Sequence, residues 1–424
     1  MTNTIFIIFM FVLLFAGLPI AIALFLPLFL LIAMNPITTT TFLAQSLYSG
    51  VANFSMLALP FFMVAGAVME TGGLSRRLVS AANSMVGGIT GSFGMVTIIA
   101  CMFFGAVSGS APATVAAIGT IMIPMMVREG YDKYYATGLT CVAGGLGVIV
   151  PPSYPMVLYG ITVNAPIGTL FIAGIGPALV VGGILMVFNY IYCKKHNLKG
   201  NNKFNFTKML KSIWDAKIAL AMPLIILGGI YGGIFTATEA AVVAVVYGIA
   251  VGLFLYKELK FSKLWEIFKD NVVFIAGTMF VMAPARATGS VFAFMGINRG
   301  IADFVFSITD NRIGVLLILY GFLFIVGMFV QTTPAILILA PTLLSIVTQV
   351  GIDPIHFGMI LVLALSIAFV TPPVAVNLFM GSTMTGISID KITKAAIPFI
   401  VGLIIALLIV GLVPEISLFI VGAQ

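Results

Sequence analysis

The sequence predicts an all-α protein that crosses a lipid bilayer many times, and three observations support this prediction. Hydrophobic residues make up 61% of the 424 positions and charged residues only 8%, whereas soluble domains carry about 25% charged residues. Apolar runs of roughly 18–25 residues recur along the chain, which is the length of a membrane-spanning helix. These runs lack the apolar–polar alternation of a transmembrane β-barrel. Together these observations predict a helical membrane protein with many spans.

The formal charge of +7 does not indicate a nucleic-acid partner, because the basic residues are concentrated in one region. One hydrophilic loop carries seven lysines and a single acidic residue, Asp215. The positive-inside rule places such a loop in the cytoplasm, where it would also meet anionic membrane lipid. A loop that docks a protein partner is the alternative. The lysines are Lys194, Lys195, Lys199, Lys203, Lys208, Lys211 and Lys217.

Hydropathy also predicts which stretches of the chain cross the membrane and which lie at its surface. Residues 5–33 are predicted to form one retained span, since the run is too long for a signal-peptide core and no Lys or Arg precedes it. Residues 43–54 are predicted to lie along the interface, and 257–270 form a charged amphipathic stretch. The cysteines Cys101, Cys141 and Cys193 indicate neither a disulfide framework nor a metal site. A shorter apolar run covers 57–69, and clear spans cover 170–193, 218–235, 240–256, 272–294 and 395–413.

The chain repeats itself. Two short apolar runs (93–107 and 113–127) are joined by SGSAP, and two more (313–330 and 335–350) are joined by QTTP. GAVSGSAPA (105–113) aligns with GMFVQTTPA (327–335), so that Gly105 meets Gly327 and Ser110 meets Thr332. Further on, Pro151-Pro152 meets Pro372-Pro373. The joint match of polar tip and Pro-Pro pair predicts an internal duplication.

Each Pro-Pro pair interrupts an apolar segment, at 135–164 and at 356–386. Proline donates no N–H and clashes with the preceding turn, so it breaks a helix. Pairs of short runs with a tight polar turn are predicted to be re-entrant hairpins. Five crossings between the hairpins bring the second in from the opposite face. The predicted fold class is therefore an inverted-topology repeat with two re-entrant hairpins and two discontinuous helices, and such paired interruptions point to a transporter's binding site.

The polar tips and breaks offer uncharged oxygens. A broken helix exposes free carbonyls at the end of its first half and free N–H groups at the start of its second half. Carbonyls and hydroxyls suit Na⁺, and N–H groups suit a carboxylate. The alternative is that Ser and Thr merely cap short helices. The residues predicted to contact substrate are Ser110, Ser153, Arg286, Gln331 and Thr333.

Acidic residues are scarce in the apolar middles, since Glu70 and Glu239 lie at segment ends and His356 begins one. Proton-coupled carriers usually place such groups inside the membrane, so Na⁺ coupling is favoured over H⁺ coupling. Intramembrane aspartyl proteolysis needs two facing aspartates within spans. Asp303, Asp310, Asp353 and Asp390 lie between predicted spans, so the protein is not predicted to be an enzyme, and no organic cofactor is expected.

Arg286 is the only basic residue well inside a predicted span, which makes it a functional candidate. Guanidinium binds carboxylate through two hydrogen bonds. Two structural alternatives remain open. Arg286 lies near Pro284, where a kink would let it reach water, or it pairs with a backbone carbonyl. Glu239, at the start of a helix, is interpreted as part of a helix cap.

Three stretches carry a family resemblance: GAVSGSAPATVAAIGTIMIPMMVREGY (105–131), PPSYPMVLYG (151–160) and FTATEAAVVAVVYG (235–248). They resemble the large membrane subunit of tripartite ATP-independent periplasmic (TRAP) transporters, over the chain from the first span to about residue 410. The overall character is similar to the sialic-acid branch. The resemblance implies Na⁺-driven import of an organic anion, of the sialic acid or C4-dicarboxylate type, across the bacterial inner membrane. A channel or uniporter and an H⁺-coupled symporter are the alternatives.

The resemblance also implies partners and a division of the chain. A small membrane subunit would enlarge the scaffold, and a periplasmic binding protein would deliver the substrate. One membrane protein, 1–424, would contain an elevator-type transport domain built from about 90–165 and 312–388. The spans within about 1–70, 170–270 and 395–420 would form the scaffold.

The family's sodium sites, carried over by position, fall on both halves, with the backbone serving where a side chain cannot. Family members often have Asp at the position of Gln331, so cation affinity or substrate preference at the second tip is expected to differ. The implied sodium-site residues are Ser108, Ser110, Gly147 and Val150 in the first half and Gly327, Thr332, Ala368 and Thr371 in the second.

Overall fold

The computed structural model describes residues 2–34, 39–86, 89–198 and 206–423, and within these ranges every regular element is helical. Short 3-10 turns occupy Phe54–Leu57, Thr348–Val350 and Val421–Ala423, and a π-helical turn, Val251–Leu255, follows α14. The α-helices are α1 (Thr2–Phe15), α2 (Ile20–Met34), α3 (Thr40–Ser49), α4 (Ala58–Thr71), α5 (Leu74–Val86), α6 (Ser92–Ser108), α7 (Ala111–Arg128), α8 (Lys133–Ala143), α9 (Leu146–Ile149), α10 (Tyr154–Val163), α11 (Ile167–Lys195), α12 (Phe206–Asp215), α13 (Lys217–Tyr231), α14 (Ala237–Ala250), α15 (Phe261–Phe294), α16 (Ile297–Ile308), α17 (Arg312–Phe329), α18 (Thr332–Val347), α19 (Pro354–Ala368), α20 (Val376–Thr385), α21 (Ile389–Leu412) and α22 (Glu415–Leu418).

The helices confirm a polytopic membrane protein. In the described part of the chain, eight helices are long and apolar enough to cross a bilayer, or up to ten if each bent pair counts as one span. One of these bent pairs is the predicted broken helix, in which α8–α9 and α10 meet at 41°.

Two predicted segment boundaries are wrong. The single span expected at 5–33 is two helices, α1 and α2, which pack against each other after the chain turns at 16–19. A glycine with positive φ, Gly17, and a proline, Pro19, end the first helix there. Residues 261–270 of the amphipathic stretch and the span 272–294 instead form one helix of 34 residues, α15.

The duplication is visible in the element order of each half. A glycine with positive φ, Gly73 or Gly296, precedes a strongly amphipathic helix, α5 or α16. Only glycine adopts this backbone conformation at little cost. A hairpin follows (α6–α7 or α17–α18), then a helix with an Asp N-cap, then a break and a short helix. Both Pro-Pro bonds, at 151–152 and 372–373, are cis. The two amphipathic helices were not recognised in the sequence.

Each hairpin tip lies against the break of its own half. A Cβ added at Gly109 in the first tip would lie 3.0 Å from the carbonyl oxygen of Pro152. In the second half, the N–H of Val374 donates to the carbonyl of Met328 at 3.3 Å. Both hairpins therefore end at a helix break, as a re-entrant element does. With five candidate spans between them, the hairpins belong to an inverted-topology repeat.

The halves interlock through their second short helices. Helix α10 of the first half packs on α18 of the second hairpin, and α20 of the second half packs on α7 of the first. Tyr159 on α10 is fully buried and donates to the carbonyl of Pro354 at 2.6 Å. Asn377 on α20 is also fully buried, and its amide donates to the carbonyl of Cys141 at 3.0 Å.

Two helices of the predicted scaffold, α11 and α21, pack on the repeat. Helix α11 contacts α6, α10 and α19, and α21 contacts α8, α19 and α20. Glycines permit this close approach. A Cβ added at Gly138 on α8 would lie 3.1 Å from the backbone nitrogen of Ala396 on α21. We therefore group α6–α11 and α17–α21 as the repeat unit. The outer unit contains α1–α4 and α13–α15, in which α4 packs on α14 and α15 packs on α2, α3 and α4.

Candidate cation and substrate site

A cavity of about 500 Å³ lies where both hairpin tips face the outer unit. Tip 1 contributes Ser108 and Ser110, and tip 2 contributes Gln331, Thr332 and Thr333. The repeat side is completed by Gly327 near the end of α17 and by Ala368, Phe369 and Val374 around the second break. The structure thus brings seven of the twelve sequence-predicted site residues to one cavity: Ser108, Ser110, Gly327, Gln331, Thr332, Thr333 and Ala368.

The outer wall of the cavity is one face of α4 together with one face of α15. The α4 residues recur at helical spacing, and they are Leu59, Met63, Gly66, Ala67 and Glu70. Gly66 permits close contact with tip 1, since a Cβ there would lie 3.1 Å from Ser108 Cα. Helix α15 contributes Asn271 and Thr278, seven residues apart and therefore on the same side.

Tip 1 holds a compact set of uncharged oxygens. Thr114 Oγ1 donates to the carbonyl of Ser110 at 2.7 Å and lies 3.1 Å from Ser108 Oγ. Ser108 Oγ lies 3.4 Å from the same carbonyl. Both Ser108 and Thr114 are buried. Sequence reasoning missed Thr114, although it stands one helical turn after Ser110.

The first break closes on this oxygen set. A Cβ added at Gly147 would overlap Thr114 Oγ1 and the Ser110 carbonyl oxygen. A Cβ added at Gly105 would lie 2.9 Å from Gly147 Cα. Hydroxyl and carbonyl oxygens packed against the short helix α9, between the turn at 144–145 and the Pro-Pro break, are a donor set that fits Na⁺, so the residues present fit the predicted ion. Val150 ends α9 next to this set, but it does not line the cavity.

The second tip is built from equivalent positions. Thr332 begins α18 and is buried, and a Cβ at Gly327 would overlap the Cβ of Ala368. Thr371 is buried behind the cavity lining, where its hydroxyl donates to the carbonyl of Ile367 at 2.9 Å. The Gly327–Ala368 contact matches Gly105–Gly147 in the first half, so the repeat extends to individual contacts.

Two predicted substrate residues lie outside the cavity lining. Ser153 is fully buried, and its hydroxyl donates across the break to the carbonyl of Val148. Arg286 is half-buried on α15, and its guanidinium donates to the carbonyl of Thr162 at 3.2 Å. Arg286 thus pairs with a backbone carbonyl, which is one of its two structural alternatives. This hydrogen bond links the outer unit to the end of α10.

The cavity contains one charged side chain among its described lining residues, and that residue is Glu70. The sequence placed Glu70 at a segment end, away from any site. Because α4 runs from Ala58 to Thr71, its last turn reaches the cavity. The sequence did contain a signal for Glu70, since it is a polar residue on the same face of the helix as Leu59 and Met63.

Two other predicted features have clear locations. Glu239 caps α14 as interpreted: its carboxylate accepts from the Thr236 N–H at 2.8 Å, and its own N–H donates to Thr236 Oγ1 at 3.3 Å. In the basic loop, Lys194 and Lys195 lie in the last turn of α11, whereas Lys199 and Lys203 lie outside the described residues.

Known proteins resemble this chain over most of its length. The family model described as "Tripartite ATP-independent periplasmic transporter, DctM component" matches residues 7–416. The isethionate TRAP transporter permease protein DctMQ of Oleidesulfovibrio alaskensis is 43% identical over 411 residues, covering 96% of this chain but 64% of the relative. This chain therefore spans less than two thirds of that relative's length.

Two further relatives match along most of both chains. The C4-dicarboxylate TRAP transporter large permease protein DctM of Pseudomonas aeruginosa is 40% identical over 376 residues, covering 89% of this chain and 88% of the relative. The sialic acid TRAP transporter large permease protein SiaM of Vibrio cholerae is 37% identical over 407 residues, covering 96% and 95%.

A solved structure supports the fold. The structure titled "Crystal structure of the Alcanivorax borkumensis YdaH transporter reveals an unusual topology" superposes with a TM-score of 0.61 at 13% sequence identity, covering 88% of each chain. At that identity the likeness bears on the fold alone. The family match over 7–416 and the identity with full-length relatives show that the chain belongs to the DctM component family of tripartite ATP-independent periplasmic transporters, as the large membrane subunit.

Proposed function

We propose that this protein imports an organic anion across the bacterial inner membrane, coupled to Na⁺ and by an elevator mechanism. One observation carries the proposal: both hairpin tips meet at a single cavity between the repeat unit and the outer unit. A binding site at such a boundary can face either side of the membrane when the repeat unit moves against the outer unit.

Charge supports the Na⁺ coupling. Among the described lining residues the cavity has no Lys, Arg or His, so an organic anion would enter without a cationic side chain to balance it. A bound Na⁺ would supply that positive charge. Ser108, Ser110, Thr114 and the backbone at Gly147 would hold the ion in the first half, and the equivalent positions around Thr332 and Ala368 would do so in the second. The N–H groups at the start of α10 and α20 would face the anion.

The relatives support the substrate class. Their names specify isethionate, C4-dicarboxylates and sialic acid, all of which are organic anions. The family description supports a small membrane subunit and a periplasmic binding protein as partners. We propose that the exposed apolar faces of α14, of the π-helical turn after it and of α15 meet lipid or the small subunit. They include Val246, Phe254 and Val273 respectively.

An H⁺-coupled symporter remains the second candidate, and Glu70 is the observation that favours it. A carboxylate in the cavity can carry a proton, whereas the sequence had suggested that acidic groups stay away from the site. A channel or uniporter lined by the same breaks is the third.

Uptake into liposomes decides between these candidates. The chain, reconstituted with its small membrane subunit and binding protein, is tested with isethionate, sialic acid and succinate under Na⁺, H⁺ or no gradient. We expect accumulation above equilibrium only with an inward Na⁺ gradient. Accumulation driven by H⁺ alone would establish the second candidate, and equilibration without any gradient would establish the third.

A further inference from the structure

Glu70 differs in charge from the other described residues that line the cavity. It is the single charged side chain among the described residues of the lining, and it makes no hydrogen bond or ion pair with another described residue. The nearest basic residues along the chain, Arg76 and Arg77, are paired with Glu258. An acidic side chain without a basic partner among the described residues therefore faces a cavity that is proposed to hold an anion.

The position of Glu70 would bring it close to a substrate bound at the tips. It lies one helical turn after Gly66, about 6 Å along the axis of α4, and Gly66 is the residue that touches Ser108 in tip 1. Asn271 and Thr278 on α15 line the same outer wall. The outer wall thus carries three polar side chains, of which Glu70 is the acidic one, and the tips carry hydroxyls and helix N-termini.

We propose that Glu70 is a specificity residue, which favours organic anions with a single negative charge and a hydroxyl or amide donor, and which disfavours dianions. The inference rests on the proposed function. The anionic end of the substrate would lie towards the tips, where N–H groups and cations are available. The opposite end would face Glu70, where a second carboxylate is repelled and a hydroxyl or amide N–H donates a hydrogen bond.

The expected discrimination is large enough to measure. Two like charges within about 8 Å in a partly desolvated site disfavour binding by roughly tenfold or more. A hydrogen bond from a neutral donor to a carboxylate acts in the opposite direction. Isethionate and sialic acid each carry one negative charge and hydroxyl donors, whereas succinate carries two negative charges at neutral pH.

Binding to the purified full-length chain in detergent with Na⁺ tests the inference, using isethionate, sialic acid and succinate as probes. We expect at least one monoanion to bind about tenfold more tightly than succinate. Glu70→Gln keeps the shape of the side chain and removes its charge, so it should reduce that ratio at least fivefold by tightening succinate binding. Glu266→Gln is the matched control, since Glu266 is exposed near the start of α15 and outside the cavity.

The outcomes separate the inference from the function on which it rests. Succinate binding as tight as that of the better monoanion would overturn the role of Glu70, and this comparison needs no variant. The role of Glu70 would also be overturned if Glu70→Gln changed the ratio of succinate to monoanion dissociation constants by less than twofold. If the wild-type chain binds none of the three anions, the inference is overturned, whereas the proposed function is judged by Na⁺-driven uptake into liposomes with the partner subunits present. Loss of H⁺-driven uptake in Glu70→Gln, with an unchanged ratio, would instead assign Glu70 to proton coupling.

Discussion

At the scale of single residues, the first tip shows how neutral side chains can form a cation site inside a membrane protein. Thr114 joins Ser108 and the Ser110 carbonyl in one hydrogen-bonded set. A carboxylate there would carry a large desolvation penalty in an apolar surrounding. Hydroxyls and carbonyls carry a smaller penalty, and they bond to one another when no ion is present.

Thr114→Val removes one oxygen from this set and keeps the side-chain shape. A hydrogen bond or ligand contact to a charged group contributes about 1.5–3 kcal/mol, so the half-saturating Na⁺ concentration for uptake should rise roughly tenfold or more. Thr120→Val is the control, since Thr120 lies on the same helix, is exposed and bonds only to the Ala117 carbonyl. An equal response of uptake to Na⁺ in both variants would remove Thr114 from the site.

At the scale of elements, the broken helices require partners for the backbone groups that they leave free. Gly145 N–H donates to Val142 O and not to Cys141 O, so the Cys141 carbonyl loses its helical partner at the end of α8. The side-chain amide of Asn377 on α20 supplies the missing donor. A buried carbonyl without a donor is costly, and the second half of the repeat thus completes the first.

Asn377→Leu tests this coupling between halves. The Cys141 carbonyl would lose its donor, which should reduce the free energy of unfolding by about 1–3 kcal/mol. The loss should be nearer 1 than 3 kcal/mol, roughly. Asn377 Oδ1 is itself buried without a hydrogen-bond partner, so its removal also relieves an unfavourable desolvation. Thermal unfolding in detergent measures the change. Thr383→Val, on the exposed side of the same helix, is the control, and equal destabilisation by both would contradict the capping role.

At the scale of the whole molecule, the arrangement of the two units decides what moves. The sequence-based division assigns α11 and α21 to the scaffold, and we propose from their contacts that they move with the repeat unit. An elevator mechanism requires sliding between α4 and tip 1, where a Cβ at Gly66 would lie 3.3 Å from that of Ser108. It requires no movement between α8 and α21.

Disulfide crosslinks distinguish these interfaces. In a background without Cys101, Cys141 and Cys193, oxidation of the pair Gly66→Cys and Ser108→Cys should stop uptake, and reduction should restore it to the level of Ser108→Cys alone. The pair Gly138→Cys and Ala395→Cys links α8 to α21, where a Cβ at Gly138 would lie 3.4 Å from Ala395 Cβ. Both separations are slightly below the Cβ–Cβ distance of about 3.5–4.5 Å in disulfides, so a small shift of the helices permits each bond.

The second pair should form its crosslink and leave uptake unchanged, because both residues would travel together. Inhibition by this link would return α21 to the scaffold. Unimpaired uptake with the first pair fully oxidised would contradict sliding at α4.

The sequence by itself determined the membrane class, the duplication, the two hairpins and the two breaks. These features depend on local chemistry: hydropathy over a helix length, and proline where a helix cannot continue. The same local signals identified Ser108, Ser110, Thr332 and Thr333, which all face the cavity.

Only the tertiary structure decided which residues meet. Glu70 and Thr114 have only weak local signals, namely a polar residue on an apolar helix face and a hydroxyl one turn after Ser110. Asn377 has none, because its role depends on Cys141, which is distant in the chain. Arg286 is the reverse case, since its charge made it a candidate and its position directs it to the Thr162 carbonyl. The assignment of α11 and α21 likewise followed from glycine-mediated packing, because hydropathy reports that a helix is in the membrane and not which neighbour it contacts.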